Sequence, residues 1–228
     1  MLRSARADDA GYDAVLVDEG EVEDAVARLG EAHPHYHGKT WDLWRAIALI
    51  LGRHPPLDTR ILDAGCSYSP LLDVLGGLGY SRLVGCDLVT EGFPDPTMAA
   101  CARADLTRLP LDDSSCSVIT SISVLEHGVD LDVAFREFAR VLCPGGDVLI
   151  STDYRDPKLT TADVDRAITF GAPWTIFDRS EIDHLISVAA AHGFAPLDAM
   201  SWGPSENPVS WAGKTYTFVF LALTTATA

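Results

Sequence analysis

The sequence predicts an α/β protein whose core is a doubly wound, mostly parallel sheet. Short apolar runs, typical of strands buried on both faces, alternate with helical segments from Ile61 to Ser151. A further helix and two more apolar runs follow, which brings the predicted strands to seven. The chain has 228 residues, 47% of them apolar, enough for one domain with a substantial core.

Two helices are predicted before the sheet begins. The segment EVEDAVARLG carries its apolar residues on one helical face and ends at Gly30. The segment WDLWRAIALILGR has the same spacing and cannot continue past Pro55 and Pro56. We therefore expect residues 1–56 to form an N-terminal helical segment and residues 57–228 to form the main domain.

The elements of the main domain follow in a regular order. The predicted strands are ILDAG, RLVGCDL, ARADL, CSVITSIS, GDVLIST, APLDAMSW and TYTFVFLAL. Helices are predicted at PLLDVLGGLG, at the strongly amphipathic LDVAFREFARVL and at EIDHLISVAAAHG. The last helix is expected to begin with a capping box of Asp178 and Glu181 and to end at Gly193.

Composition narrows the possible partners. Acidic residues number 33 against 17 basic ones, and a net charge of -16 repels phosphate backbones and anionic lipids, so we expect neither nucleic acid nor membrane as a partner. Five scattered cysteines without a C-x-x-C pair favour free thiols in a reducing compartment over disulfides or a zinc site. The N-terminus lacks the apolar region of a signal peptide, which predicts a cytoplasmic protein.

Residues at the ends of three predicted strands outline an adenosine pocket. Gly65, in the turn after the first strand, lets the backbone approach a ligand closely, and the absence of G-x-G-x-x-G disfavours NAD. Asp87 ends the second strand 22 positions later (87 minus 65), which suits a carboxylate that binds ribose hydroxyls. Asp105 and Leu106 end the third strand, where they suit the adenine amine and ring.

The order of ILDAGCSYSP, VGCDL, ADLTRLPLDDSSCSVITSISVLEH and AFREFARVLCPGGDVLIS resembles the class I S-adenosylmethionine-dependent methyltransferases of the ubiquinone/menaquinone-biosynthesis-like group. The resemblance implies a seven-stranded Rossmann-like methyltransferase fold with the last strand antiparallel, and S-adenosylmethionine as cofactor. It also implies that Asp63 and Gly65 lie near the methionine moiety and that Ser121 and Ile122 line the cofactor opposite the turn. The predicted cofactor contacts are Asp63, Gly65, Cys66, Ser67, Asp87, Leu88, Asp105, Leu106, Ser121, Ile122, Tyr36, Lys39 and Trp41.

The last three of these contacts come from a predicted lid, HPHYHGKTWD, which is expected to fold over the cofactor. His33, His35 and His37 alternate within this segment, but Pro34 and Gly38 are interleaved and no matching carboxylate spacing follows, so no metal is predicted.

The sequence offers candidates for catalysis and for acceptor binding. His127, after the fourth strand, is the first candidate general base, with a structural hydrogen bond to the next loop as the alternative. Asp153, Tyr154 and Trp174 are predicted to form the acceptor pocket, with packing of an insertion as the alternative.

The predicted function is methyl transfer to an oxygen or nitrogen of a small molecule. Ser67 and Ser69 stand where the family usually has glycines, and serine resists a positive φ. The alternative is therefore a methyltransferase-fold protein without methyl transfer, either a non-methylating enzyme or a non-enzymatic partner.

Overall fold

Nine strands form the sheet in a computed structural model of the chain, which describes residues 13–31, 37–55, 59–89, 100–169 and 171–226. The strands are β1 (Ala14–Val15), β2 (Arg60–Ala64), β3 (Arg82–Asp87), β4 (Ala100–Arg103), β5 (Cys116–Ile122), β6 (Leu142–Tyr154), β7 (Phe194–Pro196), β8 (Val209–Trp211) and β9 (Lys214–Thr225). The helices are α1 (Glu19–Leu29), α2 (Lys39–Arg53), α3 (Leu71–Gly77), α4 (Leu131–Val141) and α5 (Arg179–Ala191), and a 3₁₀ turn spans Leu125–His127. None of the described helices is long and apolar enough to cross a bilayer.

The strand order confirms the predicted fold class. Along the sheet the order is β1-β9-β6-β5-β2-β3-β4, with β7 and β8 also paired to β9. Strands β2 to β6 are parallel to one another, and β9 runs antiparallel to β6, as the resemblance implied. The prediction of seven strands was two short, because β1 and β8 have only two and three residues and show no periodicity. The predicted strand APLDAMSW is reduced to β7.

Strand β2 lies at the point where the strand order reverses. It is flanked by β3 on one side and by β5 on the other. From β2 the chain adds β3 and β4 toward one edge of the sheet, and then returns to add β5 and β6 toward the other edge. Ligands of such sheets bind outside the carboxyl ends of the strands at this point. The turn after β2 and the residues after β3 and β5 are therefore the expected binding edge.

Helices cover both faces of the sheet. Helices α1, α2 and α3 pack on one face with residues such as Leu149 and Phe220, and α4 and α5 pack on the other face with residues such as Ile150 and Val219. Because side chains alternate along a strand, neighbouring residues of β6 point to opposite faces. Residues of β6 therefore share a face only when they are separated by an even number of positions.

Helix α2 is a core element. Every residue from Thr40 to Ile50 is buried, and Trp41 packs edge-on against Phe220 with a centroid distance of 6.4 Å. The prediction that Trp41 belongs to a lid was wrong, because the apolar spacing of this helix reflects packing on the sheet. Tyr36, from the same predicted lid, lies outside the described residues.

Several predicted helix ends are confirmed. Asp178 and Glu181 form a reciprocal capping box at the start of α5, and Gly30 and Gly193 have φ values of 85° and 86° after α1 and α5. The last turn of α2 is fastened to the start of β6, where Asp147 accepts hydrogen bonds from Arg53 and His54 at 2.7 Å each. This anchor lies before the midpoint of β6, away from Tyr154 and the carboxyl edge of the sheet.

Candidate functional site

The turn after β2 can be formed only with glycine at position 65. Gly65 has a φ of 102°, and a Cβ atom there would lie 2.1 Å from Cγ2 of Val124. The amides of Gly65 and Cys66 both donate to the carbonyl of Cys86, at 2.7 and 3.1 Å. The turn is thus held against β3 from one side and against the segment after β5 from the other.

Asp87 fixes the far side of this turn. Its carboxylate accepts a hydrogen bond from the amide of Ser67 at 3.0 Å and another from the amide of Val89 at 2.9 Å. The residue is half-buried at the end of β3. Since each carboxylate oxygen can accept two hydrogen bonds, these two amides do not use the full capacity of Asp87. The carboxylate predicted to bind ribose hydroxyls is therefore held in a fixed orientation at the binding edge.

The two serines that replace the family's glycines are accommodated without strain. The non-glycine residue with positive φ in this turn is Tyr68, at 62°, and neither serine has positive φ. The hydroxyl of Ser67 donates to the carbonyl of Val89 at 2.6 Å, and Oγ of Ser69 accepts from the amide of Leu71 at 3.3 Å. The departure from the family pattern adds hydrogen bonds that stabilise the turn.

Apolar surface is exposed beside Asp87. Leu88 is 59% exposed and Tyr68 is 39% exposed, and in the described part of the chain Ile168 is the other large apolar residue of this kind. An adenine ring is an apolar plane that could cover such surface. Leu106 is buried, whereas Asp105 is exposed and its Oδ1 accepts hydrogen bonds from both the amide and the hydroxyl of Thr107.

Polar groups line the ends of β2 and β5. Asp63 is buried and accepts a hydrogen bond from the hydroxyl of Thr120 at 2.7 Å. Burial raises the pKa of Asp63 to about 6, although the bonds from Thr120 and Ser69 oppose the rise. Among the described residues, the buried hydroxyls of Ser121 and Ser123 have no hydrogen-bond partner. Buried polar atoms normally have partners, so these hydroxyls fit the polar methionine end of the implied cofactor.

Three further carboxylates are buried nearby, and we call Asp42, Glu126 and Asp153 the carboxylate cluster. Asp42 lies in α2, Glu126 in the 3₁₀ turn and Asp153 in β6. Each accepts one hydrogen bond from a side chain: Ser151 donates to Asp42, Thr152 to Glu126 at 2.9 Å and Trp174 to Asp153 at 2.7 Å.

Burial sets the charge of this cluster. Desolvation is the largest cause that raises the pKa of Asp42 to about 6 and those of Glu126 and Asp153 to about 7. The ammonium of Lys39 opposes the rise at all three, and it also lies 5.7 Å from the centroid of the Phe218 ring. Lys39, predicted to touch the cofactor, thus faces the carboxylate cluster.

His127 is half-buried at the rim of the same cluster. Burial lowers its pKa, while Asp153 and a hydrogen bond to the backbone of Pro173 oppose the fall. The bond to Pro173 is a structural contact, but it is made with the segment after β6 and not with the loop that follows His127 in sequence. A lowered pKa keeps the imidazole neutral near pH 7, which is the form that a general base requires.

The predicted acceptor pocket is divided between the two faces of the sheet. Asp153 and Trp174 lie together, as predicted, and Trp174 also packs edge-on against Trp211 at 4.8 Å and Tyr216 at 5.8 Å. Tyr154 points to the opposite face, where it contacts Trp202 at 5.6 Å. The prediction that Tyr154 joins the other two was wrong because adjacent residues of a strand alternate in direction.

The sequence analysis proposed neither Asp42 nor Glu126 as a site residue. The available signal was the presence of two charged residues, Asp42 and Arg45, within the apolar run WDLWRAIALIL of α2. His37, from the alternating histidines, lies 3.2 and 3.4 Å from carboxylates of Glu19 and Glu23 at the surface, whereas His33 and His35 lie outside the described residues.

Comparisons with known proteins agree with this geometry. A family model described as a methyltransferase domain matches residues 62–150, which hold the end of β2, all of α3, β3, β4, β5 and α4, and most of β6. A probable S-adenosylmethionine-dependent methyltransferase of Mycolicibacterium smegmatis is 34% identical over 100 residues, covering 42% of this chain and 38% of the relative.

Two further relatives match over a longer stretch. A malonyl-(acyl-carrier protein) O-methyltransferase of Dechloromonas aromatica is 31% identical over 67% of this chain and 58% of its own length. A ubiquinone biosynthesis O-methyltransferase of Cereibacter sphaeroides is 26% identical over 67% of this chain and 66% of its own length. The chain thus spans between 38% and 66% of these three curated relatives.

Solved structures share the fold at low identity. The (4+2)-cyclase SpnF superposes with a TM-score of 0.60 at 17% identity and covers 96% of this chain and 100% of its own. A geranyl diphosphate C-methyltransferase of Streptomyces coelicolor also has a TM-score of 0.60 at 17% identity, covering 90% of this chain and 77% of its own. The fold is therefore shared by proteins with different reactions. The reaction has to be inferred from the residues of the site and not from the fold.

Proposed function

Since the chain belongs to the class I S-adenosylmethionine-dependent methyltransferases, in the group that resembles the ubiquinone-biosynthesis enzymes, we propose that it transfers the methyl group of S-adenosylmethionine to an oxygen or nitrogen of a small molecule. The observation that carries this proposal is the Asp87 carboxylate, which is fixed by the amides of Ser67 and Val89 beside the Gly65 turn. A carboxylate in this place accepts the two ribose hydroxyls of an adenosine.

The residues present fit the cofactor along its length. Asp87 would hold the ribose, Leu88 and Leu106 would contact the adenine, and Asp63 and Ser121 would bind polar groups of the methionine end. When bound, the cofactor supplies a methyl group activated by the positively charged sulfur. The chain's own contribution is then mainly to orient the acceptor, an effect worth as much as ~7–11 kcal/mol.

His127 and the carboxylate cluster would act on the acceptor. Asp153 is aimed by the indole of Trp174, which fixes where an acceptor hydrogen-bond donor can bind. His127 would accept a proton from the acceptor at its imidazole, because its lowered pKa keeps it neutral near pH 7. The aromatic rings of Trp174, Trp211 and Tyr216 would exclude water from one side of this site.

Product formation tests the proposal. Purified protein is incubated with S-adenosylmethionine and a library of small oxygen and nitrogen nucleophiles, and S-adenosylhomocysteine is quantified by mass spectrometry. We expect acceptor-dependent formation of S-adenosylhomocysteine by the wild-type chain and its loss in His127→Gln. Tight cofactor binding with no product from any acceptor would instead favour the alternative of a methyltransferase fold without methyl transfer.

A further inference from the structure

The carboxylate cluster has too few cations for its charge. Lys39 is the ammonium that acts on Asp42, Glu126 and Asp153 alike. Arg45 also acts on Asp42, but it is shared with Glu21 and Asp13, which influence it more strongly. In this part of the described chain, two cations therefore face five carboxylates, and His127 is neutral near pH 7.

Unpartnered oxygens within the cluster also indicate that a hydrogen-bond donor or a positive charge is missing. Oδ1 of Asp42 and Oε1 of Glu126 are buried without a hydrogen-bond partner among the described residues, although the other oxygen of each carboxylate has one. Buried carboxylates are costly unless they meet hydrogen-bond donors or positive charge. Protons satisfy the cluster in part, since its pKa values lie at about 6 to 7.

Aromatic rings lie beside Asp153 on the α2 face of the sheet. Trp174 donates its N–H to Asp153, and its ring packs against Trp211 and Tyr216, with Phe218 next along β9. The ammonium of Lys39 already lies 5.7 Å from the Phe218 centroid, so these rings accommodate a cation. A ligand with an apolar skeleton and one positive charge matches both features.

We propose that the acceptor is an amine, bound in its protonated form by the carboxylate cluster. This inference rests on the proposed function and narrows its acceptor class. An alcohol would leave the excess negative charge in place, and an acidic acceptor would add to it. An amine brings the cation and up to three donors, so two N–H groups can meet carboxylates of the cluster, whose Asp42 and Glu126 have unpartnered oxygens, and the third can face His127.

The reaction balances with the groups present. The bound ammonium loses one proton to His127, and the freed nitrogen lone pair forms the new bond to the methyl carbon. The electron pair of the broken carbon–sulfur bond stays on sulfur. The products are the N-methylated amine in its protonated form, which keeps the positive charge lost by sulfur, together with S-adenosylhomocysteine and the proton on His127, which passes to solvent.

Charge-matched probes test the acceptor class. The protein is first saturated with S-adenosylhomocysteine, and binding is then measured by calorimetry for two pairs that share a carbon skeleton, phenethylamine with 2-phenylethanol and tryptamine with tryptophol. We expect each amine to bind at least about tenfold more tightly than its alcohol, since hydrogen bonds to charged groups are the stronger ones. Titrations in buffers of different ionisation enthalpy should show proton release near pH 6 to 7, because the incoming ammonium displaces protons from the cluster.

Isosteric variants connect this preference to the cluster. Asp153→Asn and Glu126→Gln should lower amine affinity about tenfold and leave alcohol affinity unchanged. Asp112→Asn, an exposed carboxylate away from the cluster, is the matched control and should change neither. Thermal denaturation and binding of S-adenosylhomocysteine show that each variant is folded.

The outcomes separate the inference from the proposed function. Equal or tighter binding of the alcohols, or no binding of either amine at millimolar concentration while S-adenosylhomocysteine binds, would overturn the amine assignment alone. Failure of S-adenosylhomocysteine to bind would overturn the proposed function itself.

Discussion

Trp174 donates its indole N–H to the carboxylate of Asp153 at 2.7 Å, across 21 positions of sequence. A backbone hydrogen bond from Phe177 to the carbonyl of Asp153, at 2.9 Å, fastens the same segment. The irregular stretch after β6 is therefore docked onto the carboxyl end of that strand. Its position fixes one face of the candidate acceptor site.

Removing the indole N–H of Trp174 tests how much its hydrogen bond to Asp153 contributes to the pKa of that carboxyl and to stability. Trp174→Phe keeps an aromatic ring but removes the N–H, so the pKa of Asp153 should rise above its present value of about 7. We expect a loss of ~1–3 kcal/mol in the free energy of unfolding at pH 8, measured by urea denaturation. Trp211→Phe, which changes a ring contact of Trp174, is the control and should not change the pH dependence of the free energy of unfolding.

The close approach at the glycine turn predicts a severe defect for a small substitution. Gly65→Ala meets Val124 at 2.1 Å and requires alanine at a φ of 102°, so we expect loss of S-adenosylhomocysteine binding and a lower Tm. Gly77→Ala, where a new Cβ has no atom within 4 Å and φ is not positive, should leave both unchanged. Adding Val124→Ala should restore part of the Tm, because the steric clash is relieved while the backbone strain remains. Full binding by Gly65→Ala would contradict this account of the turn.

The pH dependence of turnover tests His127. Burial lowers the pKa of its imidazole below 6.5, so the neutral form dominates at neutral pH and is lost only as pH falls through that lowered value. We expect kcat of the wild-type enzyme to fall on the acidic side with this pKa. His127→Gln should lower kcat by roughly 10²–10⁴-fold and remove the acidic limb, with S-adenosylhomocysteine affinity unchanged. An unaltered pH profile in this variant would leave His127 with only its contact to Pro173.

Asp147 is expected to contribute to stability but not to ligand binding. Burial raises the pKa of this carboxyl, but hydrogen bonds from His54 and Arg53 outweigh burial and hold the pKa below its usual range. Because the folded-state pKa is depressed, the stabilisation is present above the unfolded pKa near 3.8 and is lost as pH falls through the folded value.

The corresponding substitution is Asp147→Asn. We expect it to cost up to about 3–5 kcal/mol at pH 7, toward the lower end because Arg53 is 31% exposed, and much less in strong acid. Affinity for S-adenosylhomocysteine should be retained in the folded fraction, since Asp147 lies in the half of β6 that is farther from the site. A loss of affinity that exceeds the loss of folded protein would place Asp147 in the binding machinery.

The sequence predicted those features that depend on local pattern. Alternating apolar runs and helical spacing were enough for the parallel strands, for α5 with its Asp178 and Glu181 cap, and for the turn at Gly65. Strand ends also indicated Asp87, because the fold itself brings the carboxyl ends of β2 and β3 together.

Features that depend on long-range packing could not be predicted. Trp41 has the spacing of a residue on an amphipathic helix, and only the pairing of α2 with β9 shows that it packs on Phe220. The carboxylate cluster joins residues 42, 126 and 153 from three elements, and no local pattern records their meeting. Tyr154 was grouped with Asp153 because the predicted strand GDVLIST ends at Thr152, whereas β6 continues to Tyr154 and directs the two side chains to opposite faces.

The most direct test of the central claim is calorimetric titration of the wild-type chain and of Asp87→Asn with S-adenosylmethionine and S-adenosylhomocysteine. We expect both ligands to bind the wild type with micromolar affinity. The variant should bind about tenfold to a hundredfold more weakly, because it loses a charged acceptor for the ribose and for the Ser67 amide. No binding of either ligand to the wild type, or equal affinity in the variant, would contradict the proposed cofactor site.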